Sequence, residues 1–139
     1  MRSKITYDSN LMKVIALFES ITQTQLKDCF VINDVFHFVL NPEDMGKAIG
    51  KSGSNIKRIE FLLKKKVKVV EFSNDLAKFI KNLIYPMTAD SVDVDGKSVT
   101  IRSRDSKTKG LLIGRDSRNL SSYREIISRY FDIGELKVA

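Results

Sequence analysis

With 139 residues, 42% of them hydrophobic and 29% charged, the chain suffices for one ordinary domain or for two of about 70 residues with small cores, and excludes a large multidomain machine. Its 24 Lys and Arg against 17 Asp and Glu leave a net charge of +7, which directs attention to polyanions such as nucleic acid, with an acidic substrate second. The single cysteine, Cys29, and single histidine, His37, exclude an internal disulfide and a structural zinc site and fit a reducing cytosol.

No stretch approaches the roughly 18–20 uninterrupted apolar residues of a membrane span, and Met1-Arg2-Ser3-Lys4 is not followed by an apolar signal-peptide core. A cytoplasmic protein without a membrane partner is expected.

In chain order, Asp8 or Ser9 is a plausible N-cap for Leu11, Val14, Ile15, Leu17, Phe18 and Ile21, whose spacing predicts an amphipathic helix to about Thr22. Cys29 to Ile32 and Val35 to Leu40 are dense in β-formers around an Asn33-Asp34 turn, which predicts a hairpin. Pro42, with Glu43 and Asp44 near the positive helix end, predicts a short helix running into Gly50-Lys51-Ser52-Gly53. Ile56, Ile59, Leu62 and Leu63 then form a second helical stripe, and Val67 to Phe72 a closing strand. The order is α-β-β-α-α-β.

From Ser73 the order recurs. Ser73 is read as the cap of a helix carrying Leu76, Ala77, Phe79, Ile80 and Leu83, which stops before Pro86. A hairpin turning at Asp95-Gly96 follows, then a helix around Lys107 to Ile113, a loop at Gly114, a helix from about Ser117 to Tyr130, and a strand from Ile133 to Val138. Sliding the sequence by 64 residues lays Gly46 to Ile56 onto Gly110 to Leu120, with Gly46, Ile49, Gly50 and Asn55 recurring identically. Two copies of one unit are expected, over residues 1–72 and 73–139.

Charge follows the repeat. Residues 35–72 carry eight basic and four acidic groups and residues 97–139 ten and five, whereas residues 1–34 are balanced at four each and residues 73–96 hold two basic and four acidic. Two basic blocks at similar places suggest a repeated anion-facing surface.

A Gly-x-x-Gly turn between helices matters because glycine lacks Cβ and accepts positive φ, so a nucleic-acid backbone can approach the main chain. The following helix adds N–H groups and partial positive charge. Lys51 places a charge inside this loop and Lys57 and Arg58 lie on the helix behind it. By itself such a turn is weak, since most are simple helix caps. The enlarged run Met45-Gly46-Lys47-Ala48-Ile49-Gly50-Lys51-Ser52-Gly53-Ser54-Asn55-Ile56-Lys57-Arg58 resembles the signature of the KH RNA-binding domain, in its type II element order. The repeat, the helix of Leu11 to Ile21, Asn41-Pro42-Glu43-Asp44-Met45-Gly46, and Glu71-Phe72-Ser73 leading into Phe79-Ile80-Lys81-Asn82 resemble the archaeal NusA family of transcription factors over nearly the whole chain.

That resemblance implies an α+β fold of two tandem type II KH domains, each a small sheet backed by helices. It implies single-stranded RNA as partner, with RNA polymerase as a second, and a part in transcription elongation or termination. It implies RNA contact by Lys47, Ile49, Gly50, Lys51, Ser52, Gly53, Lys57 and Arg58, and in the second copy by Gly114, Arg115 and Arg118. The second loop departs from the pattern: Ser117 stands where a second glycine is expected, and Asp116 sets a carboxylate where phosphate would pass. Weaker RNA contact is expected there, offset by Arg115 and Arg118.

Other features have plainer readings. Lys64-Lys65-Lys66 with Lys68 either extends the RNA path or caps a helix end. His37 reads as structural, and Cys29 as a core thiol. Ile49, Ile56, Ile59, Val67 and Val69 either line a base-binding groove or pack the core. With no paired carboxylates in a glycine loop, no nucleophile and base set and no P-loop lysine, neither catalytic residue, metal, cofactor nor small-molecule substrate is expected. The rival to RNA binding is a KH-fold interaction module on RNA polymerase or a ribosomal assembly.

Overall fold

Residues 8–139 are described by the structure, a computed structural model; the segment Met1-Arg2-Ser3-Lys4 considered above lies outside them. The described residues divide into two compact units, 8–73 and 74–139.

In the first unit, helix α1 (Ser9–Thr22) starts where the extended Asp8 accepts the Leu11 N–H on its carboxylate at 2.7 Å, a cap worth about 1 kcal/mol. Strands β1 (Asp28–Ile32) and β2 (Val35–Leu40) pair antiparallel with Ile32 opposite Val35, leaving Asn33 and Asp34 as a two-residue turn at φ 54° and 64°. Positive φ at both positions matches the right-handed twist of the strands. A 3-10 turn at Pro42–Asp44 leads into helix α2 (Met45–Ile49), the glycine corner and helix α3 (Ser54–Leu63). Strand β3 (Lys66–Glu71) then returns parallel to β2, giving the order β1-β2-β3.

Alternation along the strands decides the core. Phe36, Phe38 and Leu40 share one face of β2 and pack with Cys29, Val67 and Val69 beneath Phe18, Ala48 and Ile59 of α1, α2 and α3. Phe18 stacks on Phe38 with ring centroids 4.1 Å apart. Each such side chain contributes about 1.5–3 kcal/mol on burial. His37 takes the other face and is also buried, its Nδ1 lying 2.8 Å from the Val35 carbonyl oxygen and its ring stacked on Phe30 at 5.1 Å. Burial disfavours the imidazolium and lowers its pKa to about 4, so the ring is neutral at pH 7. These contacts support its structural reading, and Cys29 is a fully buried thiol.

In the second unit, helix α4 (Leu76–Ile84) is preceded by Asp75 in an extended conformation, so Asp75 and not Ser73 holds the N-cap position. Phe79, Ile80, Leu83 and Ile84 recur at helical spacing and form its buried face. Strands β4 (Ser91–Asp95) and β5 (Ser98–Arg102) pair with Asp95 opposite Ser98. The turn is therefore Gly96-Lys97, one residue later than expected, with Gly96 at φ 60°; glycine at the first turn position is what such a hairpin demands. Helix α5 (Ser106–Ile113) is capped by Asp105, which accepts from the Thr108 hydroxyl at 2.7 Å, a bond that holds its carboxyl below the usual range. Helix α6 (Arg118–Ser128) and strand β6 (Glu135–Val138), parallel to β5, complete a second three-stranded sheet, β4-β5-β6. The fold is thus α+β, with two small sheets each backed by helices.

Among the described residues no helix is long and apolar enough to cross a membrane, and no group of His, Cys, Asp or Glu is arranged to hold a metal ion.

Candidate nucleic-acid interface

The corner between α2 and α3 is built by conformations that few side chains tolerate. Gly50 sits at φ 77°, ψ 173° and Gly53 at φ 74°, ψ 18°, with Ser52 between them at φ 55°. Two hydrogen bonds hold the bend, Gly50 N–H to the Gly46 carbonyl at 3.0 Å and Gly53 N–H to the Gly50 carbonyl at 3.2 Å. A third crosses it: the Asn55 side-chain amide donates to the Lys47 carbonyl at 3.1 Å.

The two glycines are required for different reasons. A Cβ on Gly50 would lie 2.9 Å from the Asn55 amide carbon and nitrogen and 3.0 Å from Ser54 Oγ, so this position faces inward onto the asparagine bridge. A Cβ on Gly53 would meet only Lys57 Cε, at 4.0 Å. Gly53 therefore faces open space. Gly53 precedes α3 in a left-handed conformation and no side chain caps the helix; the first N–H of α3, from Ser54, donates to the Lys51 carbonyl across the 3-10 turn.

The other expected site residues fall around this corner. Lys47, Lys51, Ser52, Lys57 and Arg58 are exposed, and Ile49 is half-buried. Of four further apolar candidates, Ile59 is fully buried in the core, while Ile56, Val67 and Val69 are half-buried and pack against its cluster. Leu62, read as part of the apolar stripe, is 46% exposed; it falls beside the buried line set by Ile59 and Leu63. The lysine run divides. Lys64 ends α3 in a left-handed conformation, its N–H bonded to the Glu60 carbonyl, and Lys65 pairs with Asp34 of the hairpin turn at 2.7 Å. Lys66 is exposed, while burial lowers the Lys68 ammonium to a pKa of about 8.

The second corner follows the same path with different residues. Gly114 sits at φ 74°, ψ 173°, Asp116 at φ 55° and Ser117 at φ 60°, ψ 22°. The bonds recur, from Gly114 N–H to the Gly110 carbonyl at 2.8 Å, from Ser117 N–H to the Gly114 carbonyl at 3.2 Å, and from the Asn119 amide to the Leu111 carbonyl at 2.9 Å. Arg115, Asp116, Ser117 and Arg118 are all exposed. The substituted position is the counterpart of the outward-facing Gly53, and Ser117 there is exposed in a left-handed conformation that strains a residue with a side chain. The inward-facing one, Gly114, is retained, and a Cβ there would lie 2.7 Å from the Asn119 amide carbon and 2.9 Å from its backbone nitrogen. The bridging role of Asn55 and Asn119 went unassigned in the sequence, although their identical recurrence was its signal.

Comparison with known proteins agrees with this geometry. A KH domain family model matches residues 14–74. The probable transcription termination protein NusA of Methanocaldococcus jannaschii is 32% identical over 139 residues, spanning 98% of this chain and 76% of that protein. The probable transcription termination protein NusA of Halococcus morrhuae is 29% identical over 138 residues, 98% and 99% of the two chains. Among solved structures, the crystal structure of APE1850 superposes with a TM-score of 0.64 at 29% identity, covering 92% of this chain and 96% of that one. With likeness of this extent running through the glycine corner and both sheets, the chain belongs to the NusA family of KH-domain proteins.

Proposed function

We propose that this chain is a non-enzymatic, single-stranded RNA-binding protein of two tandem type II KH domains, 1–72 and 73–139, acting in transcription elongation or termination. The observation that carries the proposal is the Gly50–Gly53 corner: a bend with open space on the side where a Cβ of its outward glycine would point, the nearest atom there being Lys57 Cε at 4.0 Å, set before a helix start that no side chain caps and flanked by the exposed Lys51, Lys57 and Arg58. A phosphate lying on Gly53 meets peptide N–H groups and the helix dipole at once, and Lys51 adds a full charge. The half-buried Ile49 is available for apolar contact with a base. Such contacts give modest sequence selectivity per domain, so both copies act together along one strand. The transcription role rests on the names of the relatives, and RNA polymerase is the protein partner that role would need.

The test is Lys51→Asp with Ser52→Asp in the purified chain, titrated with short single-stranded RNAs across salt. Loss of affinity with a shallower salt dependence is expected, about 0.7 in log–log slope for each phosphate contact removed from a single strand. Unchanged affinity in a folded variant would refute the corner as an RNA grip.

A second reading, an interaction module on RNA polymerase or a ribosomal assembly, is favoured by the second corner, where Asp116 is acidic and Leu111 is 46% exposed. Co-purification before and after nuclease treatment separates the two, because an RNA bridge disappears with the RNA.

A further inference from the structure

Helix α3 carries an aromatic ring that the core does not use. Phe61 is 79% exposed, the most exposed large hydrophobic residue among those described. An exposed apolar residue is ordinary, and Leu62 beside this one is 46% exposed; the charges around the ring are what set it apart. Lys57 and Arg58 lie four and three residues before it, hence on the same face one turn earlier, and Lys64 lies three residues after it at the helix end. All three cations are exposed. The Lys57 side chain reaches back to within 4.0 Å of the position a Cβ would take on Gly53, so Gly53, Lys57 and Phe61 form one row along α3, about 12 Å from end to end.

The second unit supplies the control. Sixty-four positions on, Phe61 is replaced by Glu125, exposed and 4.0 Å from Arg129, and Lys57, Arg58 and Lys64 are replaced by Ser121, Ser122 and Ser128. At this place the repeat accepts an ordinary solvated surface. In the first unit alone the ring and its cations occur together.

We infer that Phe61 is a stacking platform for a base of the RNA strand as it leaves the Gly50–Gly53 corner, with Lys57, Arg58 and Lys64 holding the adjoining phosphates. Single-strand binders pair a cationic track with an aromatic face in this way, because every base offers a π-face and every nucleotide a charge. A protein partner would gain from the ring but would have to cover three cations around it. The inference rests on the corner being an RNA grip, and the experiment separates the two.

Phe61→Ala and Phe61→Trp are compared with the Lys51→Asp, Ser52→Asp variant, using short oligoadenylate RNA and inorganic polyphosphate as probes. The exposed ring can be truncated with little cost to folding. We expect Phe61→Ala to weaken oligoadenylate binding about tenfold, with unchanged salt slope and unchanged polyphosphate binding. The chain has no tryptophan, so Phe61→Trp introduces a unique fluorophore that should keep RNA affinity and be quenched by oligoadenylate but not by polyphosphate. Parental RNA affinity in Phe61→Ala overturns the proposal, even if some protein contact is lost; so does a loss that flattens the salt slope, which would mark a phosphate contact. If Lys51→Asp, Ser52→Asp still loses affinity in that case, the corner reading survives alone; if neither variant does, both fall.

Discussion

Gly50-Lys51-Ser52-Gly53 and Gly114-Arg115-Asp116-Ser117 share one backbone path, including a left-handed residue at the third and fourth positions, yet offer an incoming strand different chemistry. The first presents a lysine and a bare main chain. In the second, an arginine is followed by a carboxylate and a hydroxymethyl group. Conformation and charge have therefore separated: the bend is kept by its hydrogen bonds and inward glycine, while the outward residues vary. Surroundings separate too, since the row from Gly53 through Lys57 to Phe61 has Ser117, Ser121 and Glu125 for its counterpart.

The comparison can be broken first at the inward glycines. Gly50→Ala and Gly114→Ala should each cost about 3 kcal/mol, because a φ near 75° with an extended ψ is a region only glycine enters readily. Gly114→Ala should cost more, since one obstructing atom is backbone, whereas those near Gly50 belong to side chains that can swing aside. Urea denaturation gives both values, and equal, small losses would show that the bend relaxes around a methyl group.

The units also differ under acid. Counted from the hairpin turn, the place of His37 is taken in the second unit by Thr100, which does not titrate. The His37 pKa of about 4 lies below its ordinary value near 6.5, so the unfolded chain takes up the proton first. This contribution is complete above pH 6.5 and is lost as pH falls through 4, on the order of 3 kcal/mol in all. His37→Leu should flatten that part of the stability profile; a difference curve without slope between pH 4 and 6.5 would place the ring in a less confining site.

Next comes charge at the corners. Lys51→Asp with Ser52→Asp should lower RNA affinity by about one to two orders of magnitude, while Asp116→Gly with Ser117→Gly should raise it several-fold by removing a repulsive carboxylate. Affinity unmoved by the second change would mean that RNA bypasses that corner. The smallest effect is expected from the asparagine bridge. Asn55→Ala and Asn119→Ala each remove one exposed side-chain hydrogen bond and should cost about 1 kcal/mol of stability.

Much of this was legible beforehand. The Asn33-Asp34 turn, a cap at Asp8 or Ser9 and the alternation of Phe36, Phe38 and Leu40 are local, each dictated by a few neighbouring residues, and the structure has the turn and the alternation where the sequence suggests and takes Asp8 for the cap. The structure departs from the local pattern where one residue's choice depends on distant packing. Ser73 is a better cap by type than by position, and the Asp95-Gly96 pair turns one residue later because strand register decides which residues face each other.

Sequence alone established the repeat, the charge blocks and the glycine corner, because spacing and residue type carry all three. Only the tertiary structure separated the two glycines of that corner, one facing Asn55 and one facing solvent, and buried Ile59 fully with Ile56, Val67 and Val69 packed against its cluster, while leaving Phe61 outside. Which side of a helix or bend is buried depends on residues far along the chain that pack against it, and a pattern read within one segment does not contain them.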